Sequence, residues 1–247
     1  MFSLRNDVLI VRNIHKIYED GTHAVKGISF SVKPGEIYGL IGPNGSGKTT
    51  SLRIIAGLIK PTMGEVYVNG INVVDKPYEA RKYLGYLPEE AEVYSRLTGF
   101  EHLEFYAKLY GVEDLDSAIK YGAELSGLGD RLDDYADSYS KGMKRRLLLA
   151  IVLMRKPVLA LLDEPTSGLD VGASVRVRNI IKKYVKETNS SIVLSSHNML
   201  EVEYLCDRIG IVFDGRIIIE DEPKNILNNY GVSNLEEAFI KIVEGSV

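Results

Sequence analysis

The stretch Ile37-Tyr38-Gly39-Leu40-Ile41-Gly42-Pro43-Asn44-Gly45-Ser46-Gly47-Lys48-Thr49-Thr50 decides the fold. A short apolar run leads into three spaced glycines, a lysine and two hydroxyl residues. Residues 42–49 fit the pattern G-x-x-x-x-G-K-[ST], and the setting is the required one, a strand before and a helix (48–57) after. The residue types carry the physics. Gly42, Gly45 and Gly47 let the backbone aim successive N–H groups inward. The helix N-terminus adds partial positive charge. Lys48 is expected to reach the β and γ phosphates of a nucleoside triphosphate, and the Thr49 hydroxyl to ligate magnesium. Pro43, Asn44, Ser46 and Thr50 complete the candidate cradle. The bland alternative is a glycine-rich turn with a chance lysine, which the strand-loop-helix context disfavours.

Outward from this loop, β-branched runs bounded by glycine or proline recur at 8–11, 28–32, 66–68, 158–162, 192–195, 209–213 and 217–219. The runs at 37–41, 158–162 and 192–195 are almost wholly apolar, which suits strands covered on both faces in a parallel sheet. Residues 171–187 read as a helix between two of them. The segment 87–156 shows helical periodicity at 100–110, 115–127 and 143–154, and no strand. The first 35 residues read as antiparallel strands joined by a turn at Asp20-Gly21. Residues 233–244 read as an amphipathic helix capped by Ser233 or Asn234.

The expected fold is therefore α/β: a phosphate-loop NTPase core with a mostly parallel sheet, an N-terminal antiparallel β subdomain and a helical insertion subdomain. We expect one domain over 1–247. Its α/β core is expected at 1–86 and 157–230, its helical subdomain at 87–156, and a C-terminal helix at 231–247.

The run Leu159-Ala160-Leu161-Leu162-Asp163-Glu164-Pro165 is a strand ending in two carboxylates. Open α/β sheets place ligands at such strand ends. Asp163 is the candidate to hold magnesium through water. Glu164 points differently and is the candidate base for the attacking water. A helix-capping carboxylate with a solvated neighbour is the plainer alternative. His197 follows the apolar run 192–196, where it is a candidate to sense or contact the γ-phosphate; a structural role is the ordinary alternative for a lone histidine. His15, His23 and His102 are assigned structural roles, and Cys206 a packing role.

Composition narrows the field. The chain has 247 residues, 30 Lys+Arg and 34 Asp+Glu, for a net charge of −4. That balance argues against broad nucleic-acid binding, which depends on neutralising phosphates. The single cysteine excludes a disulfide within the chain and fits a reducing compartment. The apolar stretch 147–154 is far short of the roughly 20 residues a membrane helix needs. Residues 1–13 hold no apolar run of signal-peptide length. The chain is expected not to cross a bilayer, so a partner would supply any membrane part.

In their order along the chain, these motifs resemble the ATP-binding subunit of ABC transporters, and the resemblance covers essentially all of the sequence. Tyr18 is similar to the aromatic residue that stacks on adenine, with an amphipathic residue at a strand end as the plainer alternative, and 42–50 is the phosphate loop. Glu89, in Gly85-Tyr86-Leu87-Pro88-Glu89, falls where the family usually has its Q-loop glutamine. Tyr139-Ser140-Lys141-Gly142-Met143 occupies the position of the signature, usually LSGGQ. Residues 159–165 resemble the acidic strand motif, Ser167-Gly168-Leu169-Asp170 the D-loop, and His197 the switch histidine. Two departures stand out. Glu89 replaces glutamine, which keeps a group able to face magnesium or the lytic water but adds negative charge. Lys141 and Met143 replace glycine and glutamine, while Ser140 and Gly142 are retained. These variants, and Asn234-Leu235-Glu236-Glu237-Ala238-Phe239 near the end, resemble cassettes of exporter-type two-component permeases.

The resemblance implies a mechanism. Two copies would face each other head to tail around two ATP molecules. Ser140, Gly142 and Asp170 of one copy would lie across ATP held by the other's phosphate loop. Glu164, His197 and Glu89 would serve hydrolysis, with Thr49, Asp163 and Glu89 facing magnesium. The region 89–98, with Tyr94 and Leu97 as contact candidates, would pass motion to a separate integral membrane permease. The subunit would lie on the cytoplasmic face of the membrane. Ordinary packing between lobes is the equal alternative for Tyr94 and Leu97. The rival function is a soluble ATPase of DNA maintenance or translation. The absence of heptads between the phosphate loop and the signature, and the single cassette, argue against it.

Overall fold

In the computed structural model, residues 7–244 are described. The first six and last three residues, which belong to the terminal segments assigned above, lie outside the described residues. The elements run β1 (Leu9–Ile17), β2 (His23–Val32), β3 (Ile37–Ile41), α1 (Lys48–Ile55), β4 (Met63–Val68), β5 (Ile71–Asn72), α2 (Pro77–Arg81) and β6 (Leu84–Leu87). Then follow α3 (Gly99–Leu109), α4 (Leu115–Ser126), two short 3-10 turns, α5 (Lys141–Leu153), β7 (Leu159–Asp163) and α6 (Val171–Thr188). The chain closes with β8 (Ser191–Ser196), α7 (Met199–Leu205), β9 (Arg208–Phe213), β10 (Arg216–Asp221), α8 (Pro223–Tyr230) and α9 (Leu235–Glu244).

Two sheets divide the strands. One is antiparallel, in the order β2-β1-β4-β5, and begins with the hairpin expected at Asp20-Gly21. The other has the order β10-β9-β3-β8-β7-β6. It is parallel from β9 to β6, with β10 antiparallel at one edge. Every residue of β3, β7 and β8 is buried, which is why those runs are apolar without alternation. Side chains still alternate between the two faces. Leu159 and Leu161 pack toward the antiparallel sheet and α1, whereas Ala160 and Leu162 pack toward the helices of 99–242.

Register sets the site. Ile41 pairs with Ser196, Asp163 with Ser195, and Leu87 with Leu162. The carboxyl ends of four parallel strands therefore lie level, and Gly42, Pro88, Glu164 and His197 are the residues that leave them.

Helix α5 explains the long apolar stretch. Nine of its residues are buried, including all from Leu147 to Leu153. A helix apolar all round is a core helix. Among the described residues no helix is long and apolar enough to cross a membrane. Helix α3 begins with a capping box: Glu101 N–H donates to Thr98 Oγ1 at 3.1 Å, and Thr98 N–H donates to Glu101 Oε2 at 2.8 Å. Of the two cap candidates for α9, Asn234 is the one, its Oδ1 accepting from Glu237 N–H at 2.9 Å.

The structure adds elements that sequence patterning omits. Strand β6, Leu-Gly-Tyr-Leu, is four residues long and broken by a glycine. Helices α2, α7 and α8 have five, seven and eight residues, too few for a periodicity to emerge.

Candidate active site

The phosphate loop leaves β3 and enters α1 with Gly47 at the cap. Two of its glycines answer to packing as well as to a ligand. Gly42 and Gly47 have φ of 157° and 104°, and a side chain on either would run into the carbonyl oxygen of Val212 or Ala24. Lys48 is buried, and its ammonium donates to the carbonyls of Gly42 at 2.8 Å and Pro43 at 3.1 Å. It also lies 3.8 Å from Glu164 Oε1. Burial pushes its pKa down, while Glu164, Asp163 and Glu89 pull it back up.

Asp163 is fully buried. Its Oδ1 accepts from the hydroxyls of Ser195 at 2.5 Å and Thr49 at 3.1 Å. Its Oδ2 is buried without a hydrogen-bond partner among the described residues. Burial raises the carboxyl above its ordinary range, and Glu164 and Glu89 add to that, against the two hydroxyls. A buried carboxylate oxygen with no donor, beside a threonine hydroxyl, is an oxygen set that suits a hard cation. No cluster of three or more His, Cys, Asp or Glu able to cage a metal exists among the described residues. Magnesium needs none, since it keeps waters and takes phosphate oxygens.

Glu164 is buried in the left-handed region, with φ of 47°. That conformation costs a non-glycine residue about 1–2 kcal/mol. Its N–H donates to Ser195 Oγ at 3.0 Å, and its Oε2 lies 2.9 Å from His197 Nδ1. The carboxylate thus spans Lys48 and the half-exposed His197. Glu89 is exposed, and its Oε1 accepts from the Ser167 hydroxyl at 3.1 Å.

A cavity of about 260 Å³ opens over the phosphate loop, lined by Asn44, Gly45, Gly47, Lys48, Thr49, Thr50, Ala24, Glu89 and Glu164. A second of about 260 Å³ lies beyond Glu89 and Glu164, toward Lys141, Lys144, Arg145 and Ser167. The chain brings together the loop, Asp163, Glu164, His197 and Glu89. It does not bring Ser140, Gly142 or Asp170 into the loop cavity. Ser140 Oγ caps α5, accepting from Met143 N–H at 3.3 Å, and Asp170 Oδ1 caps α6, accepting from Ala173 N–H at 2.8 Å. Gly142 faces the Ala173 methyl, where α5 and α6 approach closely. Ser46 Oγ is buried and unpartnered among the described residues. Tyr18 reaches the loop through its hydroxyl, 3.4 Å from Thr50 Oγ1, with its ring under the Lys16 ammonium.

Sequence reasoning missed Arg145. It stands in the middle of the basic run Lys144-Arg145-Arg146, yet it is buried. The available signal was position: Arg145 stands three and four residues before Leu148 and Leu149, on the stripe that continues into the core. It also missed Glu201. This buried carboxylate accepts from Thr166 at 2.6 Å and Ser196 at 3.0 Å, joining the segment after β7 to the end of β8.

The family described as ABC transporter matches residues 25–167. Linearmycin resistance ATP-binding protein LnrL of Bacillus subtilis (strain 168) is 38% identical over 244 residues, covering 94% of this chain and 78% of that protein. ABC transporter A family member 6 of Arabidopsis thaliana is 37% identical over 241 residues. That match covers 93% of this chain but only 26% of the relative, so the chain spans about a quarter of that protein. A solved dimeric ATP-binding cassette, in a post-hydrolysis state bound to ADP and Pi, shares the fold at a TM-score of 0.77 and 26% identity, covering 87% of this chain and 98% of that one. Phosphate loop, acidic strand end, sheet order and these matches converge: the chain belongs to the ABC transporter family and is one of its ATP-binding, ATP-hydrolysing cassettes.

Proposed function

We propose that this cassette closes as a dimer around two ATP molecules and drives a separate membrane permease, in the export direction, from the cytoplasmic face of the membrane. The observation that carries the chemistry is Glu164, held between the Lys48 ammonium and the His197 imidazole at the mouth of the loop cavity.

In this reading the loop N–H groups and Lys48 bind the β and γ phosphates. Tyr18 offers its ring to adenine. Glu164 accepts the proton of the attacking water, and His197, through Nδ1, fixes the carboxylate's orientation. Thr49 and Asp163 would hold magnesium, with Glu89 facing it, and the ion would neutralise charge on the β and γ phosphates.

Dimerisation is supported by incompleteness. Ser140 caps a helix whose N-terminus suits a phosphate, yet it lies outside the cavity of its own chain. A second copy facing it would supply that end. The family relationship and the dimeric cassette with ADP and Pi favour the same arrangement. Permease docking is supported by an aromatic surface on and before α3. Tyr94 and Phe105, both exposed, meet edge to face at 6.1 Å, and Leu109 is 63% exposed. The exporter direction rests on the Lys141, Met143 and Glu89 variants and on the resistance protein among the relatives.

The test is Glu164→Gln. Steady-state turnover should fall at least about 100-fold, with ATP affinity retained and the dimer accumulating in ATP on light scattering. Turnover at the parent rate removes Glu164 as base.

A further inference from the structure

Arg145 belongs to α5, yet none of its five side-chain hydrogen bonds stays on that helix. Nε donates to Pro165 O at 2.9 Å. One terminal nitrogen donates to Asp163 O at 2.8 Å and Glu164 O at 3.0 Å. The other donates to Pro88 O at 3.0 Å and Glu89 O at 3.4 Å. Every N–H of the guanidinium has a main-chain acceptor. The acceptors are the three consecutive carbonyls centred on the left-handed Glu164, and the two that follow β6. A buried charge placed on carbonyls alone, in a planar fork, defines where those carbonyls lie.

We propose that Arg145 is a positioning residue for ATP hydrolysis. It fixes the left-handed main chain that aims Glu164 at Lys48 and His197. It also ties that turn to the strand end bearing Glu89, so α5, Glu164 and Glu89 move as one body. A lobe displaced by a partner would thereby carry the base with it. The inference rests on Glu164 being the base, as proposed above.

Two variants separate this role from plain stability. Arg145→Lys keeps the charge and loses the fork, and Arg145→Gln loses the charge. Each is measured alone and with Glu164→Gln, in the full chain. The expected result is kcat reduced about 10- to 100-fold, with KM and the affinity for Mg-ATP within about two-fold of the parent. In the Glu164→Gln background, residual single-turnover rates should fall no further than about two-fold, because the residue acts through the missing base. The proposal is overturned if a folded variant keeps kcat within two-fold, or if the loss persists in the Glu164→Gln background. It is also overturned if kcat falls only with the folded fraction, or if neither variant folds, since Arg145 then holds the chain together. Glu164→Gln alone turning over at the parent rate would instead overturn the base assignment, whatever the Arg145 variants do.

Discussion

His102 shows how one residue's chemistry can be fixed by its bonds. It is fully buried in α3, with Nδ1 donating to Thr98 O at 2.7 Å and Nε2 accepting from Tyr94 N–H at 2.9 Å. Only the neutral ring satisfies both. Burial pushes its pKa below the ordinary imidazole range, against the Thr98 carbonyl and Glu101. The folded state then binds fewer protons than the unfolded state just below about pH 6.5. Its contribution to stability is full above that pH and is lost as pH falls toward the folded pKa. Between about pH 7.5 and 5.5, the urea midpoint should fall more in the parent than in His102→Gln; equal slopes would remove His102 as the source. The sequence reading placed His102 in the structural class, and could not see this pairing, because the tautomer depends on Tyr94, eight residues away. It did name Asp163, Glu164 and His197 as candidates, because each ends or directly follows a strand whose apolar run is visible, and Lys48 and Thr49, because they open the helix after the glycine-spaced loop.

At the scale of elements, helix α3 depends on its first turn. The capping box of Thr98 and Glu101 satisfies two N–H groups that the helix cannot. Thr98→Ala should destabilise the chain by about 0.5–2 kcal/mol, read as a lowered urea midpoint. A change under 0.3 kcal/mol would show the cap to be idle. Elements with a long period or a buried apolar run were legible: α3, α4, α5, α6, β3, β7 and β8. Those missed, β5, β6, α2, α7 and α8, are too short to show a pattern of their own. Leu84 and Leu87 extend as a strand because β7 offers a ladder, a long-range fact no window of four residues contains.

For the whole molecule, the prediction concerns assembly. Ser140→Arg should leave ATP binding by the single chain intact, since residue 140 lies outside its own cavity, and block ATP-dependent dimerisation. Dimers of normal stability on light scattering would refute the facing arrangement. Phe105→Glu should keep basal turnover within about two-fold while lowering ATPase stimulation by the co-purified permease; full stimulation would place docking elsewhere. The surface was only partly legible: Tyr94 was read as a contact candidate, whereas Phe105 and Leu109 looked like an ordinary helical stripe. The edge position of β6 has a mechanical meaning. That strand is laced to the sheet along one flank only, by β7, while β7 and β8 are laced along both. The chain bound for α3 departs from this outer plank. A tug from outside, if docking is as proposed, would arrive at a margin held on one side, and the guanidinium bonded to both Pro88 and Glu164 would be the brace that turns a yielding edge into a lever.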